Sequence, residues 1–197
     1  PNQIVKGIQC DISKFESVEE CFAEIKKYTS KLDVLVNNAG ASYDELLINM
    51  SSSLWDKSIA LNLSGAFYCL NNALPMLLEN GNGNIINISS IMGSIGWAGL
   101  AHYSAAKAGL EALTRTASVE LGRFNIRVNA ISPGMLETEM SKEAIDKKGK
   151  QIKKLTPLKK YGDVAKLVIF LISDDAKFIT GENYFVRGGL GAALSVK

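Results

Sequence analysis

Three short runs rich in β-branched residues, Asp33–Val36, Asn84–Ile88 and Ile126–Ile131, each stop at a polar or glycine-bearing cluster, at residues 37–40, 89–93 and 132–138. Runs of this length and apolarity read as strands buried on both faces, the kind found in parallel sheets. Parallel strands need long crossovers, usually helical, and the intervening sequence supplies them. Residues 52–79 place Ile59, Leu63, Phe67, Leu70, Leu74 and Leu78 near helical spacing before Asn80-Gly81-Asn82-Gly83 ends the stretch, with a kink expected at Pro75. Ala101–Leu121 and Asp163–Ile172 read as further helices and Tyr184–Val186 as a last strand. Upstream, Ile4–Cys10 is expected as a strand and Ser17–Thr29 as a helix opened by a Ser17-x-x-Glu20 capping box. The alternation predicts an α/β fold, a doubly wound parallel sheet of Rossmann-like, three-layer α/β/α build.

Several classes of function are excluded or disfavoured at this stage. The 197 residues fit one domain, 1–197, without an internal repeat or dividing linker. No apolar run approaches the roughly 20 residues of a membrane span, and no leader pattern precedes the folded segments, so a soluble cytoplasmic protein without membrane attachment is expected. A net charge of +2 gives no reason to expect nucleic acid. The charge is unevenly placed: residues 141–160 hold eight lysines against Glu143 and Asp146, a local +6. Cys10, Cys21 and Cys69 lack disulfide or zinc spacing and read as buried apolar residues in a reducing compartment. The single histidine, His102, reads as a loop residue before a helix; no metal site is expected, and acid–base chemistry must come from elsewhere.

The polar clusters fall at the carboxyl ends of the strands, where folds of this type bind ligands. Tyr103 and Lys107 lie four apart on one helix face, Ser89-Ser90 ends the preceding strand, and Asn38, Asn62 and Pro133-Gly134 fall at the same end of the sheet. A tyrosine is a poor base at neutral pH, but a neighbouring ammonium favours its phenolate. Ser90 can hold a carbonyl oxygen beside the Tyr103 hydroxyl, which then serves as acid in reduction or base in oxidation.

The set Asn37-Asn38-Ala39-Gly40, Asn62, Ser90, Tyr103-x-x-x-Lys107 and Pro133-Gly134-x-x-x-Thr138 resembles the short-chain dehydrogenases/reductases, with similarity from about Asp11 to Gly189. Residues 36–47, 85–90 and 128–140 look most like bacterial 3-oxoacyl-acyl-carrier-protein reductases within that family. The resemblance implies an NADP(H)- or NAD(H)-dependent oxidoreductase, with reduction of a 3-oxoacyl thioester as its favoured reaction. Another small ketone, a sugar or a polyol is the alternative substrate, and a non-catalytic oligomer subunit or fragment the alternative from a different class. It also implies Tyr103 as acid/base, Lys107 as its pKa modifier and ribose ligand, Ser90 as carbonyl orienter and Asn62 as proton-relay residue. Asp11 and Ile12 match adenine contacts, and Asn38, Ala39 and Gly40 flank the adenosine ribose. Pro133, Gly134, Leu136 and Thr138 lie at the nicotinamide end, where Leu136 and Thr138 would hold the carboxamide. Asp11 stays open as a simple turn cap and Asn38 as a tie between loops. Residues 135–160 match a mobile substrate lid, whose lysines either attract an acyl-carrier protein or coenzyme A thioester or form a solvated face. A homotetramer or homodimer built on helices 52–79 and 101–121 is implied, with Leu110, Leu113, Ala117 and Leu121 as either a seam or core.

The family's glycine-rich phosphate turn, with its first two strands, does not occur among the 197 residues. Those residues taken literally are expected to bind cofactor poorly, and the sequence reads as N-terminally incomplete. The family's strand order, 3-2-1-4-5-6-7, would separate Ile4–Cys10 from Asp33–Val36 by two strands that the 197 residues do not include. Gly81 and Phe124 stand where carrier-protein reductases often place arginines, with Arg123 adjacent.

Overall fold

The structure is a computed structural model that describes residues 5–159 and 162–191. Four parallel strands, β1 (Val34–Asn37), β2 (Gly83–Ile88), β3 (Ile126–Pro133) and β4 (Asn183–Val186), pair in that order, with Asn37 opposite Asn87, Ile88 opposite Ile131 and Pro133 opposite Val186. Their carboxyl ends therefore share one edge. Helix α1 (Phe15–Lys26) precedes β1, and α2 (Ser52–Ile59), α3 (Gly65–Asn80), α4 (Ala101–Leu121), α5 (Glu139–Leu155) and α6 (Ala165–Ile172) run between the strands.

Side-chain alternation along the buried strands builds two cores. Ile85, Ile126 and Val128 join Val18 and Phe22 of α1, Leu70, Ala73, Met76 and Leu77 of α3, and Ala117 and Leu121 of α4. Ile86 and Ile131 point the other way and pack on Leu171 of α6. Helices thus cover both faces, the three-layer arrangement expected of parallel strands. No helix among the described residues is long and apolar enough to cross a membrane.

Several sequence expectations need correction. Ile4 lies outside the described residues, and residues 5–10 form no strand. A strand requires a ladder partner, and among the described residues β1 stands at the edge of the sheet and pairs only with β2. Helix α1 begins at Phe15, and the Ser17–Glu20 capping box does not form, because the Ser17 hydroxyl accepts the Asp11 N–H at 3.0 Å instead. The stretch 52–80 is helical throughout, with a π-helical turn at Ala60–Ser64 that the sequence reading did not include and with Pro75 inside α3. His102 belongs to the first turn of α4, where it is fully buried with its ring edge-on to Tyr43, rather than to a loop. The three cysteines are free thiols, half-buried rather than buried. Leu110, Ala117 and Leu121 turn inward to the core.

Candidate active site

The strand-ending residues and the start of α4 converge at the carboxyl edge of the sheet. Ser90 leaves β2 in an extended conformation and caps a 3-10 turn, Ile91–Gly93, its hydroxyl accepting the Met92 N–H at 3.2 Å. Helix α4 brings Tyr103 and Lys107 onto the same side one turn apart, with the Lys107 Nζ 5.6 Å from the tyrosine ring centroid. The ammonium is buried and donates to the Ile88 carbonyl at 2.8 Å. Its other two N–H groups make no hydrogen bond among the described residues.

The charges differ from the sequence expectation. Burial holds the Tyr103 phenol above its usual value of 10.0, opposed only by its hydrogen bond with the Ser90 side chain. Burial is the largest cause of that shift, and burial likewise pulls the Lys107 ammonium down to about 8. Desolvation outweighs the attraction expected of the pair, because both groups sit against the sheet edge.

Asn62 is buried in the π turn, where its amide donates to the Ala41 carbonyl at 2.9 Å and the Ser58 carbonyl at 3.1 Å, and its oxygen accepts the Ala41 N–H at 3.2 Å. The bond to Ser58 competes with the helical ladder, which accounts for the local widening; such π turns cluster at functional sites. A Cβ on Gly40 would lie 2.7 Å from the Asn62 Oδ1 and 3.6 Å from the Lys107 Nζ, so the backbone after β1 approaches both residues closely. Asn38 and Ala39 are exposed beside it. The tie between loops considered for Asn38 is made by Asn37, which donates to Asn87 Oδ1 at 2.9 Å and to the Ala66 carbonyl at 3.4 Å.

The outer residues are more dispersed. Asp11 caps a turn, accepting the Ser13 N–H at 3.1 Å and the Ser13 hydroxyl at 2.6 Å, while Ile12 lies against Gly65. Gly134 donates to the Val186 carbonyl at 2.9 Å, and Pro133 ends β3. Leu136 bridges to Gly162, and Thr138 caps α5 in a reciprocal capping box with Ser141.

Two features were missed at the sequence level. Asn87 donates to Thr114 at 2.9 Å, linking β1, β2 and α4 through one amide. Glu111, one turn beyond Lys107, is buried among hydroxyls. An acidic residue between buried Leu110 and Thr114 is the signal that could have found it.

A family model described as Enoyl-(Acyl carrier protein) reductase matches residues 1–191. A 3-oxoacyl-[acyl-carrier-protein] reductase from Staphylococcus epidermidis is 41% identical over 187 residues, covering 93% of this chain and 77% of the relative. The chain belongs to the short-chain dehydrogenase/reductase family. The enzyme of the same name from Aquifex aeolicus is 37% identical over 93% of this chain and 75% of its own. A gluconate 5-dehydrogenase from Burkholderia cenocepacia, solved in complex with NADP and tartrate, superposes with a TM-score of 0.89 at 29% identity, covering 93% of this chain and 74% of that one. The protein is accordingly an oxidoreductase of the NAD(P)-dependent kind.

The residues present fit such a cofactor on two observations. The two unengaged N–H groups of buried Lys107 suit ribose hydroxyls, and Gly40 leaves the strand end open where any side chain would collide with Asn62.

Proposed function

We propose that the protein reduces the 3-oxo group of an acyl thioester to the 3-hydroxy form, with Tyr103 delivering the proton and Ser90 orienting the carbonyl. The observation that carries this reading is the pairing of the Tyr103 and Ser90 hydroxyls at the open end of β2. Two neighbouring hydroxyls suit a carbonyl oxygen, on which negative charge develops during reduction. A bound nicotinamide cofactor supplies the hydride. The elevated pKa of Tyr103 keeps the phenol protonated at neutral pH, which is the form a reductase needs. Lys107, Asn38, Ala39, Gly40, Asp11 and Ile12 would hold the adenosine side and the riboses; Pro133, Gly134, Leu136 and Thr138 would hold the nicotinamide end. Asn62 acts on this reading through the backbone of Ala41 and Ser58, which its amide fixes beside Lys107.

The thioester assignment rests on the named relatives and on α5, whose exposed Lys142, Lys150 and Lys154 lie in the basic run. Lys160 of that run lies outside the described residues, as does the side chain of Lys148. We assign residues 135–160 as the substrate lid of a single domain, with the lysines drawing in an acidic carrier protein or a coenzyme A phosphate. Exposed Phe67 and Leu78 on α3 and Val119 on α4 support a homo-oligomer built on these two helices. Three free thiols support a reducing, cytoplasmic setting.

The test compares NADPH and NADH oxidation with acetoacetyl thioesters of carrier protein and coenzyme A, a 2-enoyl thioester, simple ketones and a keto-sugar acid. The acetoacetyl thioesters should give the highest kcat/KM. Preference for the enoyl thioester or the keto-sugar acid would overturn the assignment.

A further inference from the structure

We propose that Glu111 is a positioning residue for Ser90, an inference that rests on the role given to Ser90 above. The Glu111 side chain rises from the middle of α4 into the space between β2, β3 and the turn that follows β2. Its Oε1 accepts the Ser89 hydroxyl at 3.0 Å and the Ser132 hydroxyl at 2.9 Å, and its Oε2 accepts the Ser94 hydroxyl at 3.4 Å. These partners are hydroxyls from three different segments, converging on a group only 8% exposed. A buried acid held in this way is costly to leave unsatisfied, so its burial calls for a return elsewhere in the molecule.

The return is the geometry of residues 88–94. The Ile88 carbonyl is held by Lys107, and the Ser89 N–H donates to the Ile131 carbonyl at 2.7 Å. The Ser89 hydroxyl, also 3.3 Å from the Lys107 carbonyl, joins Glu111 on one side of Ser90, and Ser94 joins it on the other. Between them Gly93 lies so close that a Cβ there would stand 2.7 Å from the Glu111 Oε1 and 3.1 Å from the Ala108 N. Ser90 itself makes only local bonds and its bond with Tyr103: its hydroxyl accepts the Met92 N–H and its carbonyl the Gly93 N–H at 3.0 Å. The carboxylate thus clamps the chain before and after Ser90 and ties both sides to the helix that carries Tyr103 and Lys107. Reactive groups held by packed, hydrogen-bonded neighbours keep the sub-ångström placement that catalysis needs.

The test is a cycle of Glu111→Gln, Ser90→Ala and their double variant, read by kcat and KM for acetoacetyl thioester and by hydrogen exchange of the amides at residues 91–94. Glu111→Gln should lower kcat about tenfold with the KM for NADPH unchanged, because a neutral amide weakens the charge-assisted bonds at Oε1 and forces the Ser94 hydroxyl to accept instead of donate. Exchange at 91–94 should rise, and Glu111→Asp should recover part of kcat. In the Ser90→Ala background the same substitution should change kcat less than about twofold, since the group it positions is gone. An equal loss in both backgrounds, or unchanged kcat with altered exchange, overturns the proposal and leaves Glu111 a purely structural group. Should Glu111→Gln fail to fold, Ser94→Ala takes its place, with the same dependence on Ser90 required. If Ser90→Ala alone leaves kcat intact, the failure lies in the role of Ser90 and not in the clamp.

Discussion

Lysine 107 gives the account a stability signature that needs no substrate. Its folded-state pKa of about 8 lies below the ordinary 10.5, because burial at the sheet edge disfavours the ammonium. Between those two values the unfolded chain holds a proton that the folded chain has released, so stability rises with pH across that window. At 1.36 kcal/mol for each tenfold ratio, the full interval is worth about 3 kcal/mol. Lys107→Met keeps an unbranched chain in the site and removes the titration. It also leaves the Ile88 carbonyl without its donor, at a cost of about 1–3 kcal/mol. Below pH 8 these two effects oppose one another and the variant should be as stable as the parent or slightly more stable. By pH 10.5 the parent keeps the bond through a neutral amine, and the variant should be the weaker. Urea unfolding of both proteins from pH 7 to 10.5 cancels the titrations they share, and the difference in unfolding free energy should swing by about 3 kcal/mol in favour of the parent. A swing below about 1 kcal/mol would refute the claim that Lys107 is buried at a cost.

Gly40→Ala should destabilise by about 1–3 kcal/mol, because its Cβ would press on the hydrogen-bonded Asn62 Oδ1. In an Asn62→Ala background the same change should cost less, and thermal melts giving equal costs would place the strain elsewhere. For the lid, Lys142→Glu, Lys150→Glu and Lys154→Glu together should raise KM for the carrier-protein thioester about tenfold at low salt and much less at high salt, with kcat unchanged. A KM insensitive to both sequence and salt would make these lysines a solvated face only.

The sequence carried the sheet and the innermost site because both rest on local pattern. Helix α4 begins at Ala101 and ends at Leu121 as its apolar repeat and the following Gly122 indicate, and the expected strands β1 to β4 shift by only one or two residues. Ser90, Tyr103 and Lys107 meet because strand end and helix start meet in any fold of this build. What was not legible depends on partners far along the chain. Residues 5–10 alternate like a strand but pair with no strand among the described residues. Asn62 in the π turn is also bonded to Ala41, 21 residues earlier, and nothing near Asn62 in sequence announces that tie. Likewise, the expected lysine effect on Tyr103 used spacing alone, whereas the burial that dominates both groups is a property of the packed sheet edge.

The central claim is that the Tyr103 hydroxyl supplies the proton to a carbonyl. Tyr103→Phe removes that one oxygen and preserves the ring, so cofactor binding and chemistry can be read separately. NADPH binding, followed by quenching of Trp55 and Trp97 fluorescence, should match the parent, while acetoacetyl-thioester reduction should fall by at least about 100-fold across the pH range. Turnover within a few-fold of the parent, with binding intact, would contradict the account.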